Sequence, residues 1–192
     1  MSLPYLFKTN LNNIPSMTSY LSADKNKVKF WSSHLNKTTF KIGICWQGGT
    51  TKIDFGRSFP LSLFKDISKL SNVELISLHK GEGEKQINNV NFNLTTLGND
   101  FDKGEYAFAD TAAVLLNCNL IITSDTAIAH LAGAIGCKTW VILKKIPDWR
   151  WMMNRNDSPW YANMTLYRQK QRGNWDHVFD MIKKDLQLLI EQ

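Results

Sequence analysis

The sequence predicts an α/β fold, a Rossmann-like, doubly wound parallel sheet of about five or six strands with helices on both faces. Three observations point there. Strand-like and helix-like segments alternate along the chain. The strand-like runs, such as Lys41–Trp46 and Leu120–Thr123, are continuously apolar, as strands are when both sheet faces are covered. The stretch Phe108–Gly136 reads as helix, buried strand, polar turn and small-residue helix, with Ser124–Asp125–Thr126 leading straight from strand into helix. A helix N-terminus at the carboxyl end of a parallel strand offers unpaired amides and the positive end of a dipole, so a phosphate or diphosphate is expected at residues 124–130.

Residues 1–39 are polar and irregular and read as a lead-in left from a missing N-terminal domain. Within them, Asp24–Leu35 spaces Val28, Phe30, Trp31 and Leu35 as a short helix does. Residues 40–192 read as one Rossmann-like domain. Lys41–Trp46 is its first strand, closed by the turn Gln47–Gly48–Gly49. Pro60 suits the start of a helix over Leu61–Leu70. Val73–Leu78 is the second strand, Lys80–Gly83 the loop after it, and Val90–Thr95 a weaker strand. Then follow helix Glu105–Asn117, strand Leu120–Thr123, helix Thr126–Ile135 with its stop at Gly136, and strand Thr139–Leu143. Leu166–Arg168 forms a last short strand. Trp175–Ile190 closes the chain as an amphipathic helix with Val178, Ile182, Leu186 and Leu189 on one face.

Composition narrows the function. With 192 residues, 43% of them hydrophobic, the chain supports one domain with a full core and is short for two. The net charge of +6 comes from scattered lysines without a basic run, which suits an anionic ligand and not nucleic acid. The three cysteines, Cys45, Cys118 and Cys137, are isolated, with no CxxC and no cysteine–histidine ligand spacing. Neither a disulfide framework nor a zinc site is indicated, and a cytoplasmic location is expected. No signal peptide and no membrane-length apolar run is present.

In a parallel sheet the loops at 47–58, 79–83, 95–110, 123–127 and 144–160 share one rim, where such sheets bind ligands. Gln47, Gly48, Gly49, Thr50 and Thr51 precede Arg57 and Ser58. The glycines permit close backbone approach, and Arg57 suits a bidentate pair with phosphate oxygens unless it is an ordinary surface arginine. This loop fits neither G-x-G-x-x-G nor the P-loop, so it names no nucleotide class. Lys80 and Gly81 open a turn suited to a base or ribose, or simply an exposed turn. His130 lies one helical turn beyond Thr126. Asp110 opens a helix that faces the same rim and joins the nucleotide-sugar-binding candidates. Helix capping is the plainer role for Ser124, Asp125, Thr126 and Asp110, and core packing the plainer role for His130. Pro147–Tyr161 interleaves three tryptophans with Arg150, Arg155, Asp148 and Asp157, which makes either a stacking surface for a sugar or base or a structural plug. No serine or cysteine nucleophile joins His79, His130 or His177 in a triad pattern, and no G-x-S-x-G occurs, so the catalytic residue is unassigned. Paired rim carboxylates for an epimerase are missing as well.

Taken together, ICWQGG at 44–49, RSFPLSLF at 57–64, LISLHKGEGE at 75–84, FADTAAVLLNCNLIITSDTAIAHLAGAIG at 108–136, PDWRWMMNRNDSPWY at 147–161, YRQ at 167–169 and GNW at 173–175 carry a resemblance over residues 20–190. The sequence resembles the C-terminal half-domain of GT-B-fold glycosyltransferases related to the lipopolysaccharide heptosyltransferases, in the version found at the end of bacterial tetratricopeptide-repeat proteins. The resemblance implies a domain that holds a nucleotide-diphosphate sugar without a metal. It implies that Ser124, Asp125, Thr126 and the amides of Ala127 and Ile128 face the diphosphate. His130 matches the histidine of the family's D-T-G-x-x-H pattern, with Ala127 in place of its glycine. Arg57 stands near the family's phosphate-binding lysine, and Lys80 and Gly81 beside the nucleoside. The acceptor-binding domain, which carries the family's general-base carboxylate, is essentially absent. Transfer is then expected only with a partner: a missing N-terminal or repeat domain, or a second copy of the chain. The competing expectation is a non-enzymatic interaction module that packs on a repeat domain, or on itself, through the tryptophan loop.

Overall fold

The computed structural model describes residues 3–49 and 56–191. Strands β1 (Phe40–Cys45), β2 (Val73–Ser77), β3 (Leu120–Ser124), β4 (Thr139–Leu143) and β5 (Met164–Arg168) form one parallel sheet ordered β2-β1-β3-β4-β5. Ile44 pairs with Ser77 on one side and Ile122 on the other. After β2 the chain crosses back over β1 to build the rest of the sheet, so the topological switch point lies between β1 and β3. That is where open α/β sheets leave a crevice.

Helices α1 (Leu3–Leu6), α2 (Lys25–His34), α3 (Ala109–Leu115), α4 (Ala127–Ile135) and α5 (Asp176–Ile190) accompany the sheet. Strand alternation sends Ile42 and Ile44 into one core layer with Trp46, Phe64 and the α5 side chains Val178, Ile182 and Leu186. Cys45 and Ile121 point to the opposite layer, with Trp31 of α2, Val114 and Leu115 of α3, and Ala132 and Ile135 of α4. Both faces being covered, β3 and β4 are buried at every residue, which is why they read as unbroken apolar runs. Among the described residues, no helix is long and apolar enough to cross a membrane.

Three elements differ from their sequence expectation. Residues 61–70 form two 3-10 turns, Leu61–Lys65 and Ile67–Lys69, in place of an α-helix. Leu61, Phe64 and Ile67 recur every third residue, so a three-residue turn buries all three. Ser68 also draws its hydroxyl to the Lys65 carbonyl, at 2.7 Å. Residues 90–95 pair with the sheet only at Thr95, opposite Ile76, while Val90, Phe92 and Leu94 pack sideways on the core. Helix α3 starts at Ala109 because Phe108 sits at a left-handed φ of 65°.

The lead-in is tied to the domain at two places. Asp24 caps α2 through the Lys27 amide (2.9 Å), and Trp31 of that helix is buried. Trp31 Nε1 (3.0 Å) and Lys27 Nζ (2.7 Å) both donate to the Asp110 carboxylate at the start of α3. Upstream, the Tyr20 and Leu21 amides donate to the Ala134 carbonyl at 2.9 and 3.0 Å. Gly136, at φ 89°, ends α4, and a Cβ there would stand 2.6 Å from the Thr18 carbonyl oxygen. Only glycine therefore lets the lead-in approach this closely.

Burial works to raise the Asp110 carboxyl pKa, but the bonds from Lys27 and Trp31 outweigh it and hold the carboxyl below the ordinary carboxylate range. A depressed folded-state value means that the carboxylate's contribution is complete above the unfolded value of about 4 and is lost as pH falls through the folded value. Asp110→Ala is expected to lower stability at pH 7 by about 1–3 kcal/mol, because the Trp31 N–H loses its acceptor. Urea unfolding at pH 7 and at pH 3 should show the deficit shrinking in acid. A variant as stable as the parent at both values refutes the anchoring role.

Candidate functional site

A cavity of about 660 Å³ opens beyond the carboxyl ends of β1 and β3. The turn after β1 makes one wall. The Gly48 amide donates to Ser58 Oγ (3.2 Å), and a Cβ on Gly48 would stand 2.6 Å from Arg57 Nη2, so glycine leaves room for the guanidinium to lie over the turn. Arg57 Nη1 donates onward to the Asp125 carbonyl at 3.3 Å. The structure thus brings Gly48, Arg57, Ser58 and Asp125 together from two loops far apart in the chain. Gln47 lines the same wall, with Oε1 accepting from Gln86 Nε2 at 3.0 Å. Thr50 and Thr51 lie outside the described residues.

The first turn of α4 makes the facing wall. Thr126 stands at the N-cap in extended conformation (φ −137°), yet its side chain makes no capping bond. Its hydroxyl instead pairs with that of Thr123 at 3.1 Å. Ala127 and Ile128 line the cavity from positions where a helix supplies no internal acceptor for their amides. Ser124 takes no part in this wall. As the last residue of β3 it is fully buried, and its hydroxyl has no partner among the described residues.

The loop after β2 supplies the third wall. Lys80 lines the cavity and donates to the Phe101 carbonyl. Gly81 turns at φ 92° in open space. Gly83, at φ 100°, has no room for a side chain, since a Cβ would stand 2.7 Å from both Gln47 Oε1 and His79 Nε2. Asp110 is elsewhere, its carboxylate turned to α2 as described above.

Two further residues shape the cavity. His79 stacks on Trp46 (ring centroids 4.4 Å apart), holds Nδ1 3.6 Å from Cys45 Sγ and pairs Nε2 with the Glu82 carbonyl. Burial pushes the His79 pKa down, which favours the neutral ring. Asp102 caps α3 from a distant loop, accepting the Asp110 and Thr111 amides at 2.8 and 3.2 Å. The one signal for His79 was its position directly after an apolar strand.

A second cavity of about 740 Å³ lies on the other side of the α4 first turn and shares Arg57, Thr126 and Ala127 with the first. Asp125 and His130 line it. His130 stacks on Trp151 at 5.2 Å and pairs Nδ1 with the Tyr161 hydroxyl at 3.0 Å. Burial lowers the His130 pKa, with Asp125 pulling the other way and Arg150 adding to the fall. Gly133 makes this packing possible, because a Cβ there would stand 2.5 Å from the Tyr161 ring. The tryptophan loop is divided in role. Trp151 is a fully buried plug, while Trp149 is half exposed and meets Trp160 edge-on at 6.1 Å. Among the described residues, no group of three or more His, Cys, Asp and Glu side chains is arranged to hold a metal ion.

No protein-family model matches the chain. Protein FlbA of Caulobacter vibrioides is 25% identical over 170 residues, which cover 84% of this chain and 28% of FlbA. The structure of E. coli ADP-heptose lipopolysaccharide heptosyltransferase II superposes with a TM-score of 0.67 at 13% identity, over 90% of this chain and 53% of the enzyme. A glycosyl transferase family 9 protein from Veillonella parvula superposes with a TM-score of 0.65 at 15% identity, over 92% of this chain and 56% of its own. The chain spans less than a third of the length of FlbA and about half that of the two glycosyltransferases. With five parallel strands and a β1/β3 switch point, it has the Rossmann-like fold of one half of a GT-B glycosyltransferase.

Proposed function

We propose that this chain is the donor-binding half of a glycosyltransferase and holds a nucleotide-diphosphate sugar with its diphosphate at the first turn of α4. The observation that carries the reading is the convergence of Arg57, the Gly48 turn and the uncapped Ala127 and Ile128 amides at the switch point of the sheet. Guanidinium and helix N-terminus are both donors suited to phosphate oxygens. The nucleoside then lies over His79, Lys80 and Gly81.

In glycosyl transfer, negative charge grows on the departing diphosphate. Fixed donors that need no reorganisation stabilise it, and here the helix amides and Arg57 fill that role without a metal. The acceptor's proton must leave too. We assign that task to a carboxylate of a separate acceptor-binding domain, in keeping with the greater length of both glycosyltransferases that superpose on this chain. A preceding repeat domain or a second copy of the chain is the partner this reading calls for.

Isothermal titration with ADP, GDP and UDP tests the reading. At least one should bind at millimolar concentration or tighter, and Arg57→Ala should weaken it by about tenfold, as the loss of one charged hydrogen bond does. Silence from all three, with no competition between them, rejects the donor site.

One observation favours a non-enzymatic interaction module instead. Leu3, Tyr5, Leu6 and Phe7 of the lead-in and Trp149 of the tryptophan loop are all exposed apolar side chains. That reading predicts concentration-dependent self-association without nucleotide binding, which sedimentation velocity would reveal.

A further inference from the structure

Residues 103–108 form an exposed loop, and its members Ala107 and Phe108 line the first cavity. The chain enters and leaves this loop in left-handed backbone, at Asp102 (φ 50°) and Phe108 (φ 65°). Among the described residues, the loop's hydrogen bonds and ion pairs stay local. The Lys103 amide donates to the Asp100 carbonyl, the Ala109 and Ala112 amides donate to the Tyr106 and Phe108 carbonyls, and Lys103 faces the exposed Asp100 carboxylate at 3.7 Å. None of these bonds reaches the sheet, so the loop is positioned through its ends.

Two aspartates hold those ends in a reciprocal pair. Asp102 Oδ1 accepts the Asp110 amide at 2.8 Å and the Thr111 amide at 3.2 Å, and its Oδ2 accepts the Thr111 hydroxyl. Asp110 Oδ2 accepts the Asp102 amide in return, at 3.2 Å. The loop is thus closed on itself where its ends meet, as compact surface loops are. Neighbouring carboxylates repel unless a cation offsets them, and α2 supplies it. Lys27 Nζ and Trp31 Nε1 both donate to Asp110 Oδ1, at 2.7 and 3.0 Å, and the Trp31 ring meets Phe101 edge-on at 5.8 Å. Asp102 and Thr111 themselves line the first cavity, whereas Asp110 does not. A continuous set of bonds therefore runs from α2 through Asp110 and Asp102 to the cavity wall.

We propose that the docking of α2 sets the position of residues 102–108 through the Asp110–Asp102 pair, so that the lead-in controls ligand affinity in the first cavity from outside it. For the identity of that ligand, a nucleoside diphosphate, the proposal rests on the donor reading above. Lys27, Trp31 and Asp110 are positioning residues, since none of them lines the cavity. When α2 leaves, Asp110 loses its cation and its indole donor together, and the carboxylate pair that closes the loop is left without its counter-charge. Coupling of this kind is reciprocal: a ligand that binds better with the wall in place also holds α2 down. A partner that pulled on the lead-in would lower the affinity without entering the cavity.

Lys27→Met combined with Trp31→Phe removes both donors to Asp110 while keeping aliphatic and aromatic bulk. In amide exchange followed by NMR without ligand, the Asp102, Asp110 and Thr111 amides of this variant should exchange about tenfold faster or more, with the amides of β3 and β4 unchanged. Lys29→Met takes the same charge from an exposed position on α2 and should exchange as the parent does. In calorimetric titration with whichever of ADP, GDP and UDP binds, the double variant should lose about threefold to tenfold in affinity and Lys29→Met none. The bound nucleotide should also slow exchange of the α2 amides in the parent. Unchanged exchange at the three amides, a rise spread evenly over the sheet, or an unaltered affinity in the double variant overturns control by α2 and leaves the donor reading intact. If none of the three nucleotides binds, the donor reading falls, and the exchange comparison alone decides whether α2 fixes the wall.

Discussion

Ala127→Glu is expected to leave the fold as stable as before, or slightly more so, while lowering nucleoside diphosphate affinity by about a hundredfold or more. Ala127 is the first residue of α4, is exposed and borders both cavities. The first turn of α4 contains no acidic residue. A glutamate there meets the positive end of the helix dipole, worth about 0.3–1 kcal/mol in favour of folding. The same carboxylate occupies the place proposed for the diphosphate. Two like charges about 4 Å apart near a protein surface repel by roughly 4 kcal/mol before screening, and about 1.4 kcal/mol is a factor of ten in affinity. Ala127→Gln separates charge from bulk, since it adds nearly the same volume without the negative charge. Thermal unfolding and calorimetric titration of the three proteins provide the check. A glutamate variant that binds as well as the glutamine variant removes the anion from the α4 terminus.

What was legible in the sequence follows from how local each signal is. Strands β3 and β4 could be read residue by residue because burial on both faces leaves no polar interruption. The parallel sheet then placed the loops holding Gly48, Arg57, Asp125 and Thr126 on one rim, and the structure brings these four within reach of one another. Ser124 differs in orientation from its sequence expectation, since β3 runs one residue further than Leu120–Thr123 and turns that hydroxyl inward. Over 61–70 the helix-start signal of Pro60 does not tell an α-helix from the two 3-10 turns that form, and the apolar spacing of Leu61, Phe64 and Ile67 suits the tighter turn. Asp102 is not legible in the sequence, and Asp110 reads as a cap or a rim residue where the structure gives it a different partner. Asp102 caps a helix several residues away from a left-handed turn, and Asp110 bonds α2, whose Lys27 lies 83 residues upstream. Partners that far apart leave no periodic trace. The stacking of His79 on Trp46 and the bond between Tyr161 and His130 have the same origin, in contacts made only once the sheet is closed.

Trp151→Ala should cost about 3–5 kcal/mol, a large part of the roughly 5–15 kcal/mol that holds a domain folded. Trp151 is fully buried within a cluster of Ala129, Val141, Leu143, Met164 and Leu166 that lies against β4, β5 and α4. Its indole is also the surface on which His130 stacks. Truncation opens a void that these neighbours, fixed on strands and a helix, collapse into only partly. The indole Nε1 has no hydrogen-bond partner among the described residues. Its contribution is therefore packing, and Trp151→Phe should recover most of the loss, leaving a deficit of about 1–2 kcal/mol. Were Nε1 instead satisfied by a structural water, phenylalanine would leave that water without its donor and recover much less. Urea unfolding followed by far-ultraviolet circular dichroism distinguishes the cases, since seven tryptophans make fluorescence ambiguous. An alanine variant within about 1 kcal/mol of the parent would show that the loop is not a plug, and with it would fall the rigid backing that fixes His130 toward the second cavity.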